Sequence, residues 1–114
     1  MASDSQAGML RVENGAVAPL PDDRIAELLA ELPEWQREDD EIVKTYQLRT
    51  FPAAIRFVTL IADRAELADH HPDIDIRYHR VRVALSTHDA GGITDKDFAL
   101  AREIETIVAG SDDS

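Results

Sequence analysis

The fold is decided by the stretch Asp73-Ile74-Asp75-Ile76-Arg77-Tyr78-His79-Arg80-Val81-Arg82-Val83-Ala84-Leu85-Ser86-Thr87-His88. Ile74, Ile76 and Tyr78 alternate with Asp73, Asp75 and Arg77, and Val81, Val83, Leu85 and Thr87 alternate with Arg80, Arg82, Ala84, Ser86 and His88. Successive side chains of a strand point to opposite faces, so this period of two predicts two half-buried strands, with Tyr78 as a half-buried strand residue. The residues around exposed His79 form the turn, and the start of the first strand then lies beside the end of the second.

Upstream, Phe51, Ala54, Ile55, Val58, Ile61, Ala62 and Ala65 keep an i, i+3/i+4 rhythm from Phe51 to Leu67. With Thr50 as N-cap and Pro52 at the helix start, this predicts the longest helix and its core stripe. Before it, Ile42, Tyr46 and Leu48 share one face of a strand, Trp35 to Arg37 pair with that strand, and Trp35 is a core anchor. Ile25, Leu28, Leu29 and Leu32 recur at helical spacing until Pro33 stops them. Downstream, Gly91-Gly92 breaks the second strand of the hairpin, and Thr94-Asp95-Lys96-Asp97 opens a last helix carrying Phe98, Ala101, Ile104 and Val108.

The order α-β-β-α-β-β-α predicts an α+β domain, a four-stranded antiparallel sheet with helices packed on one face. Apolar side chains left on the open face or edge would favour self-association, so a homodimer or larger homo-oligomer is expected. Residues 1–21, rich in Ser, Asp, Gly and Ala, read as a flexible lead-in, residues 22–110 as the domain, and residues 111–114 as a polar tail.

Composition excludes several functions. Twelve Lys and Arg against 23 Asp and Glu leave a formal net charge of −11, which repels phosphate backbones and anionic lipid, so neither nucleic acid nor membrane is an expected partner. Cysteine is absent, which removes disulfides, thiolate nucleophiles and Cys-ligated zinc. There is no apolar run of membrane-spanning length, and the polar opening Met1-Ala2-Ser3-Asp4-Ser5-Gln6 lacks the features of a secretory signal, so the expected location is cytoplasmic.

All four histidines, His70, His71, His79 and His88, lie within one short stretch. Imidazole titrates near neutrality, so such a cluster is a candidate for moving protons. The spacing Glu66-x3-His70-His71-Pro72-x5-Tyr78-x9-His88-x8-Asp97 places its members at a helix end, in a loop, after a strand and at a helix start. Hairpin pairing brings the His70-His71 loop and His88 to one edge of the sheet, where Glu66 and Asp97 could orient imidazoles. Plainer readings exist: a polar loop closing a helix for His70-His71-Pro72, a capping box for Thr94-x-x-Asp97, and a solvated helix face for Glu66. A zinc site is a sharper rival, but adjacent loop histidines lack the i, i+4 geometry of helical zinc motifs.

That spacing, with Ser86-Thr87-His88-Asp89 and the layout from about Asp22 to Ala109, resembles the pterin-4a-carbinolamine dehydratase family. The resemblance implies an enzyme without metal or bound organic cofactor. Its reaction would convert 4a-hydroxytetrahydropterin to quinonoid dihydropterin and water, recycling the cofactor of aromatic amino acid hydroxylases. By the resemblance His70 and His88 are acid/base residues, His71 holds substrate while assisting, and Asp69, Ser86, Thr87 and Asp89 contact substrate alongside them. Glu66 and Asp97 are supporting. The chain departs from the mammalian branch at Ile74, where an aromatic is expected, and at Lys96, where Arg is expected. Ile74 could still flank a flat ring. The family also includes binding, assembly and dimerisation partners, so a non-catalytic protein on the same scaffold is the alternative.

Overall fold

A computed structural model describes residues 18–110. The expected tail at 111–114 and most of the expected lead-in lie outside the described residues. Within them, the chain is already tied down at Leu20, whose amide donates to the Ile93 carbonyl at 2.8 Å. The elements are α1 (Asp22–Leu29), β1 (Gln36–Glu38), β2 (Glu41–Gln47), α2 (Phe51–Ala68), β3 (Asp73–Arg77), β4 (Arg80–Leu85) and α3 (Asp95–Ala109), with a short 3-10 turn at His88–Ala90. The sheet runs β1-β2-β4-β3, every pair antiparallel.

Register explains the layers. Ile42 pairs with Leu85, Lys44 with Val83 and Tyr46 with Val81, while Ile74 and Ile76 of β3 meet Val83 and Val81. This face packs with Ile25 of α1, Phe57 and Ile61 of α2, and Phe98 and Ile104 of α3 in one core. The opposite face carries Thr45, Gln47, Asp73, Asp75, Arg77, Arg80 and Arg82, and is laced by Arg82–Glu38 at 2.7 Å and Arg77–Asp75 at 3.0 Å. The open face is thus mostly polar, and the exposed apolar surface sits instead on α2 and at Tyr78.

Three details correct the sequence reading. The buried stripe of α2 is Ala53, Ala54, Phe57, Ile61 and Ala65, whereas Phe51 and Ile55 are 47% and 40% exposed. The helix is apolar on more than one side, so spacing identifies the helix without choosing the stripe that meets the sheet. Tyr78 is not a half-buried strand residue: it is 71% exposed, in the two-residue β3–β4 turn, with φ 55. His79 is only half-exposed, and its Nδ1 is covered with no partner among the described residues.

One polar cluster pins α3 against the sheet. Lys44, on the core side of β2, reaches Glu105 Oε2 at 2.7 Å and Glu34 Oε1 at 3.0 Å, and Trp35 Nε1 donates to the same Glu105 oxygen at 3.1 Å. The Tyr46 hydroxyl also donates to Glu105. Burial alone would raise the Glu105 carboxyl, but bonds from Lys44, Tyr46 and Trp35 outweigh it and hold the group below its ordinary value. Burial, then the bond to Glu105, pushes the Tyr46 phenol upward. A depressed folded value adds stability above the unfolded carboxyl's pKa of about 4.3 and loses it as pH falls through the folded value. Glu105→Gln is therefore expected to lower the urea midpoint at neutral pH, with the gap from the parent closing on acidification. A gap that is constant with pH would rule out the charge as its source.

Candidate active site

The hairpin does for the site what its register requires. Asp73 pairs with Ala84, so the loop that ends α2 and enters β3 lies beside the exit of β4. Helix α2 stops because Asp69 turns left-handed, with φ 51 and ψ 44, a conformation that Asp tolerates better than most residues. His70 and His71 follow at once. Beyond β4 the chain makes a small loop closed by a Thr87–Gly92 bridge, with Gly91 at φ 76, and this loop carries His88 on its 3-10 turn. A cavity of about 200 Å³ opens between these segments, lined by Asp69, His70, His71, Ser86, Thr87, His88, Asp89 and Lys96.

Three of the four histidines therefore share one cavity, and His79 is left at the far end of the hairpin. The three have different surroundings. His70 is buried, and its Nε2 lies 2.5 Å from Oδ1 of fully buried Asp97. His71 is exposed, with Nε2 2.5 Å from Glu66 Oε2 on an exposed carboxylate, so that pair is open to solvent screening. His88 is exposed.

Asp97 is built in from the start of α3. Its Oδ2 accepts the Thr94 backbone amide at 2.9 Å, completing a capping box, and the Thr87 hydroxyl at 2.9 Å. Capping and orientation of an imidazole are thus two roles of one carboxylate, each oxygen serving one of them. Glu66 and Asp97 stand behind histidines and do not line the cavity themselves.

The expected substrate-contacting residues Asp69, Ser86, Thr87 and Asp89 all line the cavity. Thr87 is 5% exposed with its hydroxyl committed to Asp97 and Thr94. Lys96 lines it too, where the sequence alone marks only a departure from the mammalian branch. Its place one residue before Asp97, in the first turn of α3, was the available signal. Ile74 is not among the lining residues and packs half-buried against the core instead, because strand alternation turns it to the helix-covered face. Among the described residues, no three His, Asp or Glu side chains are grouped as a metal ion would need. No described helix is long and apolar enough to cross a membrane.

Comparison with known proteins finds one family. A family model described as pterin 4 alpha carbinolamine dehydratase matches residues 18–107. A protein of Chloroflexus aurantiacus, provisionally named pterin-4-alpha-carbinolamine dehydratase, is 62% identical over 89 residues, covering 78% of this chain and 96% of the relative. The crystal structure of a transcriptional coactivator/pterin dehydratase from Brucella melitensis superposes with a TM-score of 0.76 at 34% identity, over 78% of this chain and 97% of that one. A pterin dehydratase-like RuBisCO assembly factor of the alpha-carboxysome shares the fold, with a TM-score of 0.55 at 18% identity over 68% of this chain and 89% of its own.

Proposed function

This chain belongs to the pterin 4 alpha carbinolamine dehydratase family, and on that premise we propose that it dehydrates a 4a-hydroxytetrahydropterin to the quinonoid dihydropterin, with histidines as acid and base. The observation that carries this reading is the meeting of His70, His71 and His88 on one small cavity, with His70 backed by a buried carboxylate. Ordinary ligand pockets are about 300–1,000 Å³, so a cavity of about 200 Å³ suits a small flat substrate.

The reaction breaks the C4a–O bond, forms the N5=C4a double bond and releases water. It needs a base for the N5 proton and an acid for the departing hydroxyl. His70 is assigned as base: Asp97 accepts its Nε2–H, which leaves the Nδ1 lone pair for the substrate. The imidazolium formed when Nδ1 takes the N5 proton is stabilised by the same carboxylate. His88, which also lines the cavity, is the acid that delivers its proton to the leaving hydroxyl. His71 holds substrate and assists, Asp69, Ser86, Thr87 and Asp89 contact it, and Glu66 orients His71. No step draws on a metal or organic cofactor, and the working form is proposed to be a cytoplasmic homodimer or homotetramer.

The direct test is the breakdown of freshly generated 4a-hydroxytetrahydropterin, followed by stopped-flow absorbance with and without the full-length protein. Acceleration that saturates with substrate is expected. None at all would move the assignment to a non-catalytic binding protein on this scaffold. His71→Ala is expected to raise KM more than it lowers kcat, because exposed His71 supplies contact rather than the principal proton transfer. A loss confined to kcat would give His71 the role assigned to His70 or His88.

A further inference from the structure

Four polar groups behind the cavity form a chain whose direction can be worked out from proton count. The Thr87 and Thr94 hydroxyl oxygens are 2.7 Å apart, both residues are buried, and Thr87 Oγ1 is 2.9 Å from Asp97 Oδ2. A threonine hydroxyl has one proton to give, and a carboxylate only accepts. Thr87 must therefore donate to Asp97, which obliges Thr94 to donate to Thr87. The Thr94 oxygen in turn accepts the Lys96 backbone amide at 3.2 Å. Every donor in the series points toward one end: Lys96 N–H to Thr94, Thr94 O–H to Thr87, Thr87 O–H to Asp97 Oδ2. Asp97 Oδ1 then faces His70 Nε2 at 2.5 Å.

We propose that Thr94, acting through Thr87, is a positioning residue for His70: the two hydroxyls fix the rotation of the Asp97 carboxylate and thereby keep the His70 proton on Nε2. Two donors on Oδ2, the Thr94 amide and the Thr87 hydroxyl, arrive from different directions and leave the carboxylate one orientation. Without the Thr87 hydroxyl only the backbone amide holds Oδ2, and the group can turn about χ2, a broad torsion in Asp. His70 would then be free to exchange its proton between ring nitrogens. The inference rests on the reading above for its consequence in turnover, but the state of the ring is measurable without substrate.

The test uses full-length protein labelled with 15N, with two-bond 1H–15N spectra of the histidine rings at neutral pH, on the parent, Thr87→Val, Thr94→Val, and the serine replacements Thr87→Ser and Thr94→Ser. The parent is expected to show His70 as a single Nε2–H form. Both valine variants should show a mixture of forms, and both serine variants should restore the parent pattern. Turnover should fall about 10–100-fold in the valine variants, as for losing a group that holds a functional histidine in place, and return with serine. Thr94→Val also removes a helix cap and lowers the melting temperature, but a cap alone would not alter the form of the His70 ring. Thr87→Val, which caps nothing, separates the two effects. A parent whose His70 proton is not on Nε2, or valine variants that keep the parent ring spectrum, would overturn the proposal. A parent with the expected spectrum and no turnover would refute the dehydratase reading and leave the positioning role standing.

Discussion

His70→Ala and His88→Ala are each expected to slow dehydration by about 10²–10⁴-fold, the usual worth of one general acid or base. Both losses should fall mainly on kcat, since the substrate contacts proposed for the remaining cavity walls, Asp69, Ser86 and Asp89 among them, are left in place. On the proposed mechanism the two residues perform complementary halves of one proton exchange, so the double variant should be little slower than either single variant. The pH profile discriminates further. A base must be unprotonated to act and an acid protonated, so His70→Ala should flatten the acidic limb of the rate profile and His88→Ala the alkaline limb. Stopped-flow rates across pH, with circular dichroism to confirm folding, measure all of this. If either variant turned over at the parent rate, that histidine would not be a catalytic residue.

Much of this was legible in the chain because its signals are local. Alternation from Asp73 to His88 defines the β3–β4 hairpin, and hairpin geometry alone then brings the His70-His71 loop to the exit of β4. Thr94-x-x-Asp97 announces the start of α3 through a box whose two bonds are present. What escaped sequence reading depends on contacts between distant segments. Lys44 sits on the core side of β2, against every expectation for a lysine, because Glu105, 61 residues away, receives its ammonium. The stripe of α2 that faces the sheet is selected by packing, since Phe51 and Phe57 are equally apolar in sequence but only Phe57 is buried. The family resemblance makes Thr87 a substrate contact, and the fold adds bonds from its hydroxyl to Asp97 and Thr94 that no local pattern shows.

Asp97→Asn is expected to be as damaging as loss of a catalytic histidine while leaving the shape of the site nearly intact. The carboxylate has acceptors at both ends, one for His70 and one for Thr87 and the Thr94 amide, whereas an amide has an acceptor at one end and a donor at the other. If the amide oxygen faces the threonines, its NH2 meets His70 Nε2 and forces the ring proton onto Nδ1, so the nitrogen assigned to the substrate becomes a donor and cannot take the N5 proton. Turned the other way, the NH2 opposes two donors in a fully buried site, at a cost of about 1–3 kcal/mol for the groups left unpaired. The first orientation avoids that penalty and should prevail, giving a folded protein whose turnover falls about 10²–10⁴-fold, the range for losing a general base. Urea unfolding, stopped-flow rates and the ring spectrum of His70 check the three parts separately. A variant with full turnover would show that the proton at His70 does not need Asp97 to place it, and would remove the basis for assigning His70 as the base.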